Sequence, residues 1–224
     1  MHFEILVEDA SGKIALNSIV KKILGSKNNP GKAYTWRIFA YKGIGRIPKN
    51  LKPSIDAQKR ILLDRLPEIL RGYGKSLPKK DNCVVVLVDL DRRDCKQFKG
   101  ELLSILHSCR PAPLTKFRLA IEEMEAWFMG DRNALIKAFP KANQKVLSSY
   151  SQDSICGTWE MLANSIYPGG ASALKKTGWP RPGIEKCSWA EKIAPLMDID
   201  SNKSKSFQVF RDCLRQLAAG KFST

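Results

Sequence analysis

Several things are scarce in this chain, and each scarcity removes a class of protein. No stretch of about 18 apolar residues occurs, so no membrane span is expected. The start, MHFEILVED, has neither the basic opening nor the long apolar core of a signal peptide, which leads us to expect a cytoplasmic protein. Histidine is limited to His2 and His107, and the six cysteines form no C-x-x-C pair. That spacing argues against a zinc site and for free thiols in a reducing compartment. There is no G-x-G-x-x-G fingerprint and no Walker-type G-K-[ST], so the chain is not expected to bind ATP itself. Internal repeats and low-complexity tracts are also missing.

What the chain has is basic charge. Its 224 residues carry 38 Lys+Arg against 22 Asp+Glu, a net +16, while 43% hydrophobic content is ample for a folded core. The basic residues are scattered rather than blocked, as on a folded surface. Such an excess serves solubility in some proteins. It also suits a polyanion partner, because Lys and Arg that neutralise phosphates release condensed counterions. Nucleic acid is the partner this composition implies.

Strand and helix patterns alternate. FEILVE (3–8) and TWRIFAY (35–41) read as strands. CVVVLVDL (83–90) is the strongest strand, apolar throughout as in a central parallel strand covered on both faces. KFRLAIE (116–122) is the fourth. Helical spacing covers 11–25, with Ser11 as a possible cap, then 55–72, 96–108, and 123–139, the last in two pieces if Gly130 breaks it. Asp94 suits the cap of the third helix. This alternation predicts an α/β fold, a three-layer core over residues 1–140 with a small parallel sheet between helices. Residues 141–224, richer in Pro, Gly and Ser, predict a mostly helical extension packed on that core and ending in a helix near 204–219.

Open parallel sheets bind ligands at the carboxyl ends of their strands. Glu8 ends the first strand, Asp89 and Asp91 end the Val-rich strand, and Glu122, Glu123 and Glu125 follow the fourth. Asp89 and Asp91, two apart on an extended chain end, would point to the same side. Carboxylates gathered this way repel one another unless a cation joins them. Magnesium accepts one or two carboxylates and keeps its waters, and it can activate a water toward a phosphodiester. Asp9 reads as a loop or cap residue. Of the later acids, Glu125 and then Glu122 are the functional candidates, and the competing reading is solvation at a helix start. Lys13, Lys42 and Arg46 are candidates for phosphate binding; the last two flank the glycines of YKGIGR, where a plain turn is the competing reading. Trp36, Trp127, Trp159, Trp179 and Trp189 could stack on bases, although core packing is the ordinary use of most.

VED-S near the start, VVVLVDLDRRDC, RLAIEEMEAWFMGD, GTWEML and EKIAPLMDIDSNKSKSFQVFRDCL together resemble a family of uncharacterised bacterial Toprim-like proteins, over nearly the whole chain. The resemblance implies a Toprim-like fold related to the overcoming-lysogenisation-defect nucleases. It implies magnesium or manganese held by Glu8, Asp89 and Asp91, with Glu125 in E-A-W as a further acid. It also implies a nuclease, in phage defence beside an AAA/ABC-type ATPase. The chain departs from the Toprim pattern at Asp9, where a glycine commonly follows the first Glu. A second reading is a non-catalytic subunit that binds nucleic acid and the ATPase, with 191–214 as its protein interface. A third, a nucleotidyl transferase or primase-like enzyme, lacks a triphosphate cradle.

Overall fold

The computed structural model describes residues 1–25, 34–48, 60–78 and 80–221. Four strands, β1 (His2–Val7), β2 (Thr35–Ala40), β3 (Asn82–Asp89) and β4 (Thr115–Ala120), form one parallel sheet in the order β2-β1-β3-β4. β1 pairs with β2 from His2↔Thr35 to Val7↔Ala40, and with β3 from His2↔Asn82 to Val7↔Leu87. Helices flank the sheet, so the fold is the three-layer α/β arrangement that the alternating pattern predicted.

The burial of each strand follows its place. Every residue from Cys83 to Val88 is buried, as a central strand with both faces covered requires. β2, at the edge, alternates: Trp36 and Ile38 are buried while Thr35 and Arg37 are exposed. Glu4, in the middle of β1, is the exception, fully buried beneath an apolar pattern. Its carboxylate accepts from His2 Nε2 at 2.9 Å, from Arg37 Nε at 2.9 Å and from the Tyr73 hydroxyl at 3.4 Å. Arg37 is its register partner on β2, so the ladder itself brings the two charges together.

Two compact units divide the chain: Met1–Lys13 with Ser26–Leu119, and Ile14–Gly25 with Ala120–Thr224. Residue 140, the expected boundary, therefore falls inside the second unit. The first holds the sheet, the opening turn of α1 (Ala10–Leu24), α2 (Leu62–Ser76) and α3 (Cys95–Ser108). Of the helix expected over 55–72, residues 55–59 lie outside the described residues, and α2 runs past Gly72. Leu62, Leu63, Leu66 and Leu70 of α2 and Phe98, Leu102 and Ile105 of α3 are buried. Asp94 caps α3 as expected, accepting from the Gln97 amide. The cap of α1 is Asp9 rather than Ser11. The Asp9 carboxylate accepts from the Gly12 amide at 2.7 Å, and the Ser11 hydroxyl only supports it.

The second unit is helical. α4 (Glu125–Met129) and α5 (Arg132–Ala138) are the two pieces expected on either side of Gly130. α6 (Gln144–Ser149), α7 (Thr158–Ile166), α8 (Gly170–Lys176), α9 (Arg181–Ile193) and α10 (Lys205–Ala218) follow. Its core is aromatic. Trp127 meets Phe207 and Phe210 with ring centroids 5.3 and 5.1 Å apart. Among the described residues no helix is long and apolar enough to cross a membrane, and all six cysteines are unbridged.

Candidate active site

The strand order reverses between β1 and β3, since the chain moves outward to β2 after β1 and outward to β4 after β3. At such a point the crossover helices diverge and leave a crevice at the strands' carboxyl ends. Glu8 follows β1 and Asp89 ends β3. Because β1 and β3 are register neighbours, the two acids come together: Glu8 Oε2 accepts from the Asp89 amide at 3.4 Å.

Asp91 behaves differently from expectation. The extended-chain argument fails because the strand stops at Asp89 and the chain turns. The Arg93 amide donates to the Leu90 carbonyl at 3.2 Å, and Asp91 itself has φ 52°. Asp tolerates this left-handed region better than most residues. The Asp91 side chain is half exposed and lies 3.7 Å from Arg93 Nη2, a loose surface pair. Among the described residues, no group of three or more His, Cys, Asp or Glu side chains is gathered into an ion cage.

The YKGIGR loop lies at the same end of the sheet. The Tyr41 amide donates to the Val7 carbonyl and the Gly43 amide to the Glu8 carbonyl, at 2.9 and 2.8 Å. The Lys42 amide donates to Arg60 and the Arg46 amide to the Asp64 carboxylate. Gly43 and Gly45 have φ 104° and 70°, and a methyl group at Gly45 would collide with Ile61 and Asp64. These amides are committed to the protein, so the loop is a packed connection rather than a backbone phosphate cradle. The side chains of Lys42 and Arg46 remain exposed, as does Lys13 on the first turn of α1.

The remaining candidate acids belong to the second unit. Glu122, also in the left-handed region at φ 52°, is buried. It accepts from the amides of Cys156, Gly157 and Thr158 and from the Thr158 hydroxyl. Burial pushes its pKa up, but the bonds from Thr158 and the three amides outweigh this and hold the carboxyl below the ordinary range. The site expected of Glu122 is thus occupied by the N-terminus of α7. Glu125 is 3% exposed and pairs with Lys186 at 3.0 Å, while its second oxygen, also buried, has no hydrogen-bond partner. Glu123 accepts from the Trp159 amide at 2.9 Å. Burial, and then the charge of Glu125, push Glu123 up to about 8. Sequence reasoning did not single out Lys186; it lies far downstream on α9, and nothing local marks it.

In the S-N-x-S-x-S-F stretch, Asn202, Ser204, Ser206 and Phe207 are buried. Asn202 donates to the Trp127 carbonyl, and the Trp127 indole N–H donates to Ser206 Oγ, both bonds buried. The Ser204 hydroxyl donates to Asp153, whose other oxygen accepts from the Lys205 and Ser206 amides. For Asn202, Ser204 and Ser206, expected within a protein interface, the observed role is internal packing.

A family model described as a domain of unknown function, DUF4276, matches residues 7–218. The chain belongs to the DUF4276 family. The match spans both units, from the end of β1 through α10, so the DUF4276 region includes Glu8, the Asp89 turn and the Ser206 network alike. No curated protein and no solved structure matches this DUF4276 chain.

Proposed function

We propose that this protein is a magnesium-dependent nuclease of the Toprim class, acting on DNA or RNA phosphodiesters from the sheet end of its first unit. The observation that carries the reading is the pairing of Glu8 with Asp89 at the point where the strand order reverses. Glu8 and Asp89 would hold the metal, with Asp91 adding negative charge from the turn. Manganese, with similar ligand preferences, would substitute. Bound there, the ion would lower the pKa of a coordinated water and stabilise charge on the leaving oxygen. Lys13, Lys42 and Arg46, exposed on segments joined to the same end, would neutralise the phosphates on either side of the scissile bond. The net charge of +16 supports a polyanionic substrate. In this reading Glu122 holds α7 in place and makes no contact with substrate.

The test is cleavage of single- and double-stranded DNA and RNA with magnesium or manganese. Asp89→Asn and Glu8→Gln should each lose about a hundredfold or more in rate while melting like the wild type. Wild-type cleavage by Asp89→Asn would remove the assignment. A protein that binds nucleic acid, cleaves nothing and takes up no divalent ion in a calorimetric titration would instead be the binding subunit of an ATPase-linked assembly.

A further inference from the structure

We propose that Trp179, with the basic residues flanking it, forms a stacking platform for single-stranded nucleic acid on the second unit. Tryptophan is rarely left in water because its ring removes so much apolar surface when buried. Here Trp127, Trp189 and Trp36 follow that habit at 0%, 2% and 6% exposure, whereas Trp179 is 82% exposed. The ring is not loose. It lies over Gly183 on the first turn of α9, where an added methyl group would sit 2.9 Å from Cη2. The missing side chain at Gly183 thus gives one face of the indole a floor, and the high exposure leaves the other to solvent.

The surroundings decide what the free face suits. Residues 175–181, KKTGWPR, are exposed without a break and contain three cations and no acid. Lys175 and Lys176 also line an open basin of about 590 Å³ with Glu160, Asn164, Ala171 and Ser172. Two acids temper the charge. Lys175 pairs with Glu160 at 2.9 Å and Arg181 with Glu185 at 2.6 Å, both cations being more than half exposed. Their acids are more covered, at 29% and 16%, so the solvent-facing side of each cation is the part left to meet a phosphate. A flat aromatic face beside a line of cations is the arrangement that holds unpaired bases by stacking and their backbone by charge. In duplex DNA the base faces are covered by neighbours, so the platform selects single strands. The proposal concerns binding alone and stands apart from the chemistry at the sheet end.

The experiment is fluorescence anisotropy of a labelled oligothymidylate with the full chain, in chelator so that no cleavage intervenes, over a series of salt concentrations. Trp179→Ala should weaken binding about tenfold or more without changing the slope against log salt. Lys176→Ala should lower that slope by about 0.7. Trp179→Phe, which keeps a smaller ring, should fall between the wild type and alanine. Since Trp179 is mostly exposed, circular dichroism of the variants should match the wild type. Unchanged affinity in Trp179→Ala, or a duplex competing as well as the single strand, overturns the proposal. Tryptophan-dependent binding by a protein that cleaves nothing would leave the platform standing and remove the nuclease reading; cleavage without such binding would do the reverse.

Discussion

The acids that tie the second unit together differ from the pair at the sheet end of the first. In the second unit Glu122, Asp131 and Asp153 each join segments distant in sequence. Asp131 accepts from the Ala134 amide, capping α5, and from the Asp198 amide at 2.7 Å. Asp153 ties Gln152 to Ser204, Lys205 and Ser206. Glu122 gathers the first turn of α7. A carboxylate saturated by backbone amides is fixed in orientation and has little left to offer an ion, and in Glu122 the same bonds also lower the pKa. In the first unit Glu8 and Asp89 sit at the ends of adjacent strands, and the Glu8 carboxylate accepts from the Asp89 main-chain amide at 3.4 Å. That placement at the carboxyl ends of adjacent strands is what the proposed metal site rests on. Within the second unit, the bonds around an acid show its structural role more plainly than its presence in a cluster does.

Removing a structural acid should break this comparison first if it is wrong. Glu122→Ala deletes the acceptor for three amides and a hydroxyl at a helix start, and leaves a residue with φ 52° that no side chain holds. We expect a loss of about 3 kcal/mol, or a fall of ~6–12 °C in melting temperature by calorimetry. A neutral Glu122→Ala would mean that saturation says nothing about role. Next in size is Ser206→Ala. It strips the partner from the Trp127 indole N–H, whose ring is fully buried. The expected cost is about 1–3 kcal/mol, read as a lower urea midpoint at unchanged slope.

These roles were unequally visible in the sequence. The sheet was legible because Val84–Val88 of β3 is an unbroken run of Val and Leu, and the helices because Asp94 and Gly130 mark a start and a break that depend only on local backbone. The pairing of Glu8 with Asp89 followed from strand order, which the alternation of elements suggests. The position of Asp91 did not follow, since a rule for extended chain cannot foresee a turn at φ 52°. The setting of Glu122 was not legible because its partners lie at 156–158, and a long-range cap leaves no trace near the acid itself. Asn202, Ser204 and Ser206 looked conspicuous for a sound reason, but a buried polar network and an interface draw on the same residue types. Ser204 just before α10 carried the one local clue, as a cap accepting from the Phe207 amide.

Glu123 tests the comparison most finely, because it is an acid of the second unit that lacks saturation. It accepts the Trp159 amide, and its surroundings add Glu125 and Glu160 on one side of the balance and Lys186 on the other. Burial first, then the charge of Glu125, raise it from 4.5 to about 8. A carboxyl raised on folding holds its proton more tightly in the folded state. Its contribution to stability is therefore full below the unfolded value of 4.5 and is lost as pH rises through about 8. This is the reverse of Glu122, whose lowered value contributes stability above the unfolded value and loses it as pH falls. Glu123→Gln keeps an acceptor for the Trp159 amide and removes the titration. It should match the wild type near pH 4.5 and melt ~3–6 °C higher near pH 8.5, a gain of about 1–2 kcal/mol. If the two proteins melt in parallel across that range, Glu123 is ionised as readily in the folded chain as outside it. The contrast between amide-saturated and unsaturated acids would then carry no consequence for titration within the second unit.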